Sequence, residues 1–229
     1  MKRFWKDAAV AAGEGGFAIL LDGRGVRTPA RAPLVAPTAP LAEAIAAEWR
    51  AQGEEVDPRV MALTGLANAA IDHAARDPAG FAATLTPYAE TDLLCYRDDR
   101  DDALVAEQAA AWNPLLAWAE KRFGIEFVLA RGVMHMAQPP ATIGALQDAV
   151  RALPPFRLAA LSPLVTISGS LVAALAVEAG ARDAGELWPV LCLDALHQER
   201  LWGSDAAATA QRAAHERDWL SAARFLELC

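Results

Sequence analysis

Cysteine is scarce and unpaired. The chain has three, Cys95, Cys192 and Cys229, an odd number set far apart. No CxxC or Cys/His spacing offers a zinc site, and the pattern reads as free thiols in a reducing compartment. Positive charge is also short: 21 Lys and Arg stand against 29 Asp and Glu, a net charge of −8. Phosphate recognition rests on clustered cations, so nucleic acid is excluded as a partner, and an anionic membrane surface with it. Phosphate loops are missing. Gly13-Glu14-Gly15-Gly16 and Asp22-Gly23-Arg24-Gly25 match neither GxxxxGK[ST] nor GxGxxG and precede no helix. There is no GxSxG elbow around Ser168-Gly169-Ser170 and no internal repeat. The start, MKRFWKDA, has neither an apolar h-region nor an Arg/Ser-rich presequence, which leads us to expect a cytoplasmic protein. A single uncharged run, Leu158 to Val177, approaches the ~20 residues that span a bilayer. Ser162-Pro163 interrupts it and Thr166, Ser168 and Ser170 weaken it, so we read a buried helix from Pro163 to Gly180, with no membrane insertion.

What is present divides in two. Phe4–Val35 carries short apolar runs separated by glycine turns, and Asp-Gly between apolar runs is a hairpin signal. We expect a small antiparallel or mixed β-rich domain over 1–37, and 125–129 reads either as a short strand returning to that sheet or as an extended connector. From Thr38 to the end the pattern is helical, giving a mainly α domain over 38–229 and an α+β fold class. A helix from Ala39 carries Leu41, Ile45 and Trp49 on one face and stops at Gly53. A second follows Asp57-Pro58. A third, from Asp77-Pro78, runs to Cys95/Tyr96. Asn113-Pro114 kinks or restarts a fourth, which ends at Gly124.

The chain is organised around Glu186–Asp205. This stretch opens as a helix apolar on nearly every side, the mark of a buried helix. Asp194 and Gln198 are set into it one turn apart, on one face. Unpaired burial of such groups costs roughly 1–3 kcal/mol each, so they find partners inside the fold, find them on another protein, or do chemistry. Trp202-Gly203 stops the helix, and Ser204 or Asp205 caps the next, in which Arg212 and Glu216 are spaced to pair. Elsewhere, Glu90 and Asp92 point apart on a helix and read as a solvated or salt-bridged face, not a glycosidase pair. His135 has no second ligand nearby and reads as structural, with no metal and no cofactor. A hydrolytic enzyme using Glu90/Asp92 or Asp194 with a histidine is the alternative function, and it requires a pocket where those groups converge.

Several segments in order carry a resemblance: Lys2-Arg3-Phe4-Trp5; Leu21-Asp22-Gly23-Arg24 with Thr28-Pro29; Glu48-Trp49; Tyr88 through Tyr96; Trp112-Asn113-Pro114-Leu115-Leu116; Ser168-Gly169-Ser170-Leu171; and Leu193-Asp194 through Gln198, Trp202-Gly203 and Asp205. Together they resemble the ATP12 family, assembly chaperones of the F1 sector of ATP synthase, over nearly the whole chain. The resemblance implies a non-catalytic, cofactor-free protein, a monomer by expectation. It would hold the F1 α subunit and shield the surface that β later covers. It also implies a bacterial cytoplasmic member, with relatives in the mitochondrial matrix. The implied partner-binding residues are Asp194, Gln198, Glu199, Trp202, Gly203 and Asp205. Where the family carries an acid beside Asp194 and an aromatic before Gln198, this chain has Ala195 and His197.

Overall fold

The computed structural model describes residues 2–229. By contacts these fall into two compact units: one runs to Phe81 and also takes Pro154–Ala160 and Ser221–Cys229, and the other comprises Ala82–Leu153 and Leu161–Leu220.

Glycine turns shape the sheet of the first unit. Strands β1 (Ala8–Gly13) and β2 (Gly16–Leu21) pair antiparallel, with Gly13 opposite Gly16. Strand β3 (Arg24–Gly25) returns along β2 with Leu21 opposite Arg24. Between them Asp22 and Gly23 both have positive φ, 48° and 79°, the type I′ geometry whose twist matches the strands. The Asp22 carboxylate accepts the amides of Asp7 (2.9 Å) and Lys6 (3.0 Å), and these bonds hold it below the usual carboxylate range. Strand β4 (Val35–Ala36) also pairs with β2. It passes so close that a Cβ on Gly16 would lie 2.3 Å from the Ala36 carbonyl oxygen.

Thr38 caps α1 (Ala39–Arg50), which buries Leu41 and Ile45 completely. Trp49, on the same helix, meets Trp5 edge-on at 5.1 Å. The next helix, α2 (Ala62–Ala69), lacks a side-chain cap of its own. Glu48 serves instead, accepting the Leu63 and Thr64 amides at 2.8 Å each, a charge placed where a helix N-terminus favours it. A π turn over Ala70–Ala74 extends α2.

The long third helix expected from Asp77-Pro78 to Tyr96 is broken. It becomes α3 (Pro78–Ala83), a 3-10 turn at Thr86–Ala89, another at Leu93–Cys95, and strand β5 (Tyr96–Arg97). Pro87 cannot continue α3, and Asp92 turns extended to cap the last turn. Conversely, α4 (Asp102–Phe123) runs unbroken through Pro114, which stands on its exposed side. Gly124, at φ 67°, ends it as expected. The strand looked for near 125–129 begins instead at β6 (Ala130–Arg131). It pairs in parallel with β5 and not with the N-terminal sheet. The Gln138 side chain meets both backbone groups of Val128, at 3.0 and 2.8 Å, so that stretch is satisfied without a strand partner.

After α5 (Pro140–Arg151), the single buried helix read from Pro163 to Gly180 is in fact two, α6 (Pro155–Ser168) and α7 (Leu171–Glu178). Gly169 at φ 70° ends α6, and Ser170 caps α7 through the Ala173 amide at 3.0 Å. Among the described residues no helix is long and apolar enough to cross a membrane. The chain ends in α8 (Ala184–Leu191), α9 (Leu193–Trp202) and α10 (Ala206–Leu228).

Asp92 corrects a further expectation. It is no solvated face but a fully buried carboxylate at the start of α7. One oxygen accepts the Leu94 amide at 3.0 Å and the other the Val172 amide at 2.9 Å. Burial pushes its pKa up to about 6, while hydrogen bonds from Val172, Ser170, Leu94 and Leu171 pull the other way.

Candidate partner-binding surface

The stretch singled out in the sequence as one helix is split at Cys192, whose φ of −90° and ψ of 8° leave the helical range. Asp183 caps α8 through the Glu186 amide. Leu187, Trp188 and Leu191 are buried. Two indoles then fix the backbone: Trp112 Nε1 of α4 donates to the Val190 carbonyl at 2.9 Å, and Trp219 Nε1 of α10 donates to the Ala184 carbonyl at 2.9 Å. Trp219 also packs on Trp188, centroids 6.1 Å apart. The expectation of an apolar buried helix therefore holds for α8.

It does not hold for α9, where His197 is the buried residue. Here polar groups do the holding. Asp194 Oδ1 accepts the Gln108 side-chain amide at 2.9 Å. Arg200 Nη2 donates to His197 Nδ1 at 3.0 Å, so the proton of the neutral ring sits on Nε2, which donates to Asp101 Oδ2 at 2.9 Å. Arg200 also pairs with Glu107. Asp101 acts twice, since its other oxygen caps α4 through the Ala103 and Leu104 amides. Its carboxyl is held below the usual range by the Leu104 amide first and His197 next. Glu199 pairs with Arg212 of α10 at 2.8 Å, so the Arg212–Glu216 pair expected from spacing gives way to a link between helices. The buried Oε1 of Gln198 accepts no hydrogen bond.

The end of α9 is bare. Trp202 is 78% exposed and Leu201 56%. Gly203, at φ 85°, ends the helix, and Asp205 opens α10 by accepting the Ala208 amide at 2.7 Å. Of the six residues singled out in the sequence, Trp202, Gly203 and Asp205 thus lie together at an exposed turn. Asp194 and Glu199 bond to neighbouring helices, and Gln198 lies between them on α9. Sequence reasoning missed Asp101, Glu107 and Arg200, which orient α9, and Leu201. The acidic run before α4 was the available signal for Asp101, because an Asp just ahead of a helix is a cap.

Glu90, Asp92 and Asp194 do not converge. Glu90 pairs with His135 at 3.2 Å, while Asp92 and Asp194 have the separate partners given above. Among the described residues no group of His, Cys, Asp and Glu is arranged to hold a metal. The thiols are free, and burial pushes Cys192 and Cys229 up to about 11, far from a reactive thiolate.

Comparison with known proteins decides the family. The model of the ATP12 chaperone protein family matches residues 2–120. The crystal structure of Atp12 from Paracoccus denitrificans is 41% identical and superposes with a TM-score of 0.94, over 99% of this chain and 97% of that one. The chain belongs to the ATP12 chaperone family. The mitochondrial protein atp12 of Schizosaccharomyces pombe is 25% identical over 215 residues, 89% of this chain and 74% of its own length. ATP12 proteins are chaperones of ATP synthase assembly. In this chain His197 is the ring that ties α9 to Asp101.

Proposed function

We propose that this ATP12 chain is a non-catalytic chaperone that binds the F1 ATP synthase α subunit and covers its apolar interface until β replaces it. The observation that carries the reading is the exposed pair Leu201-Trp202 at the end of a helix held by ion pairs. An unassembled subunit exposes apolar surface that invites aggregation, and an indole on a firm support is the kind of anchor that dominates interface energetics. In this reading Trp202 enters the client. Gly203 and Asp205 shape the turn beside it, and Asp194, Gln198 and Glu199 set the pose of α9. Affinity is moderate, since the chaperone must release what it holds. The chain works as a monomer in the bacterial cytoplasm and needs no cofactor. The hydrolytic alternative lacks support, because its carboxylates are dispersed.

The test is a pull-down of the purified chain against isolated α and β subunits of the same organism's F1. Capture of α, lost on adding β and weakened by Trp202→Ala, is the expected result. Capture of neither, with all components folded, overturns the proposal.

A further inference from the structure

A second surface lies on α4 and the segment after it. Asn113, Leu116, Ala117 and Glu120 form one wall of a pocket of about 240 Å³, and Phe127 and Leu129 form the other. That volume falls below the roughly 300 Å³ at which small-molecule and cofactor sites begin. It suits one or two side chains of a chain laid across it. The walls are mostly apolar, and Leu129 is 46% exposed. A few residues further on, Val133, Met134 and Met136 are 96%, 73% and 49% exposed. Methionine is the side chain that adapts to varied apolar partners.

Two polar groups mark the pocket. Arg97 is buried, its guanidinium held by the carbonyls of Leu94 and Tyr96 and by Asn113 Oδ1 at 2.7 Å. This bond takes the oxygen of the Asn113 amide and leaves Nδ2 as a donor without a partner among the described residues. Glu120, two helical turns on along the same face, accepts the Phe127 amide at 3.4 Å and has no cationic partner among the described residues. The pocket thus presents apolar walls, one amide donor and one uncompensated carboxylate.

We propose that this groove docks an extended apolar peptide segment that carries a lysine or arginine. The apolar side chain fills the pocket, the cation meets Glu120, and a backbone carbonyl accepts from Asn113 Nδ2. This deepens the chaperone reading by assigning a second contact and the chemistry of the client segment that makes it; it rests on that reading only for the source of the peptide.

The test measures fluorescence anisotropy of a short labelled peptide of alternating leucine and lysine against the full chain. Companion peptides carry glutamate for lysine or serine for leucine. The leucine–lysine peptide is expected to bind at least about tenfold tighter than either companion. Glu120→Gln is expected to weaken it about fivefold, and Leu129→Ser by a similar factor. Both alter exposed or half-exposed positions, so urea midpoints report that folding is intact. Glu43→Gln, on an exposed carboxylate of the other unit, controls for the net negative charge and leaves binding unchanged. Equal binding of the companions, or equal effects of Glu120→Gln and Glu43→Gln, overturns the groove. Retained α-subunit capture alongside failed peptide binding discards the groove alone. Peptide binding without subunit capture supports the groove and discards the chaperone reading alone.

Discussion

Helices α8 and α9 are neighbours in sequence, of similar length, and held by opposite means. In α8 large apolar side chains are buried and two indole N–H groups fix the backbone. In α9 one imidazole is buried, and the rest of the hold is an amide–carboxylate bond, two Arg–carboxylate pairs and a His–carboxylate bond. Burial of an aromatic contributes several kcal/mol, whereas exposed ion pairs contribute roughly 0–1 kcal/mol each. The first helix is therefore scaffold, and the second is a surface element whose direction is set by charges and whose tip stays available.

Substitutions test that contrast, beginning with an indole of α10 that holds α8. Trp219→Ala removes a fully buried indole that packs on Trp188 and donates to the Ala184 carbonyl. It is expected to cost about 4 kcal/mol, read as a shift of the urea midpoint. A loss below about 1 kcal/mol would show that α8 is not the anchor.

Asp92 extends the contrast to a buried charge. Asp92→Ala strands the Leu94 and Val172 amides and is expected to cost about 3 kcal/mol. It also changes the pH dependence. The folded pKa of about 6 lies above the ordinary 3.8, so between these values the folded protein keeps a proton that the unfolded chain has lost. The contribution of this group is fully present below pH about 4, falls as pH rises to about 6, and is constant beyond. Wild type and Asp92→Ala are thus expected to draw closer in stability between pH about 4 and 6. A constant gap would show that Asp92 titrates normally in the fold.

These residues also mark how far the sequence was legible. Turns that depend on one residue's backbone freedom were readable: Asp22-Gly23 is the hairpin, Gly124 ends α4, and Asp205 caps α10. The break in α8–α9 and the split of α6–α7 were not. Apolar periodicity continues across both breaks, and a serine–glycine–serine turn inside an apolar run looks like helix until Asp92, distant in sequence, arrives to meet the Val172 amide. At the site, Trp202-Gly203 was legible because a helix stop is a local signal. Asp101 carried a local signal only as a helix cap, and its link to His197, like the Glu107–Arg200 pair, was not legible, since a contact between helices leaves no local spacing. Arg212 shows the same limit: its in-helix partner Glu216 was visible, whereas its actual partner, Glu199, lies on another helix.

That pair supplies the next, smaller effect. Arg212 and Glu199 are 19% and 23% exposed and 2.8 Å apart, between a surface pair and a buried one. Glu199→Ala is expected to cost about 1 kcal/mol, and a double-mutant cycle with Arg212→Ala to return most of that as coupling energy. A coupling of zero would mean that α9 is not steered by α10.

The smallest expected effect on stability is the most informative for function. Trp202→Ala removes a side chain that is 78% exposed, so the urea midpoint is expected to move by no more than about 0.5 kcal/mol. Truncating an interface anchor costs about 2 kcal/mol of binding or more. The same variant is therefore expected to bind the α subunit at least about tenfold more weakly. Loss of stability without loss of binding would make Trp202 part of the scaffold, like the indoles that hold α8. Loss of binding at unchanged stability would place the division between scaffold and client surface at the break between the two helices.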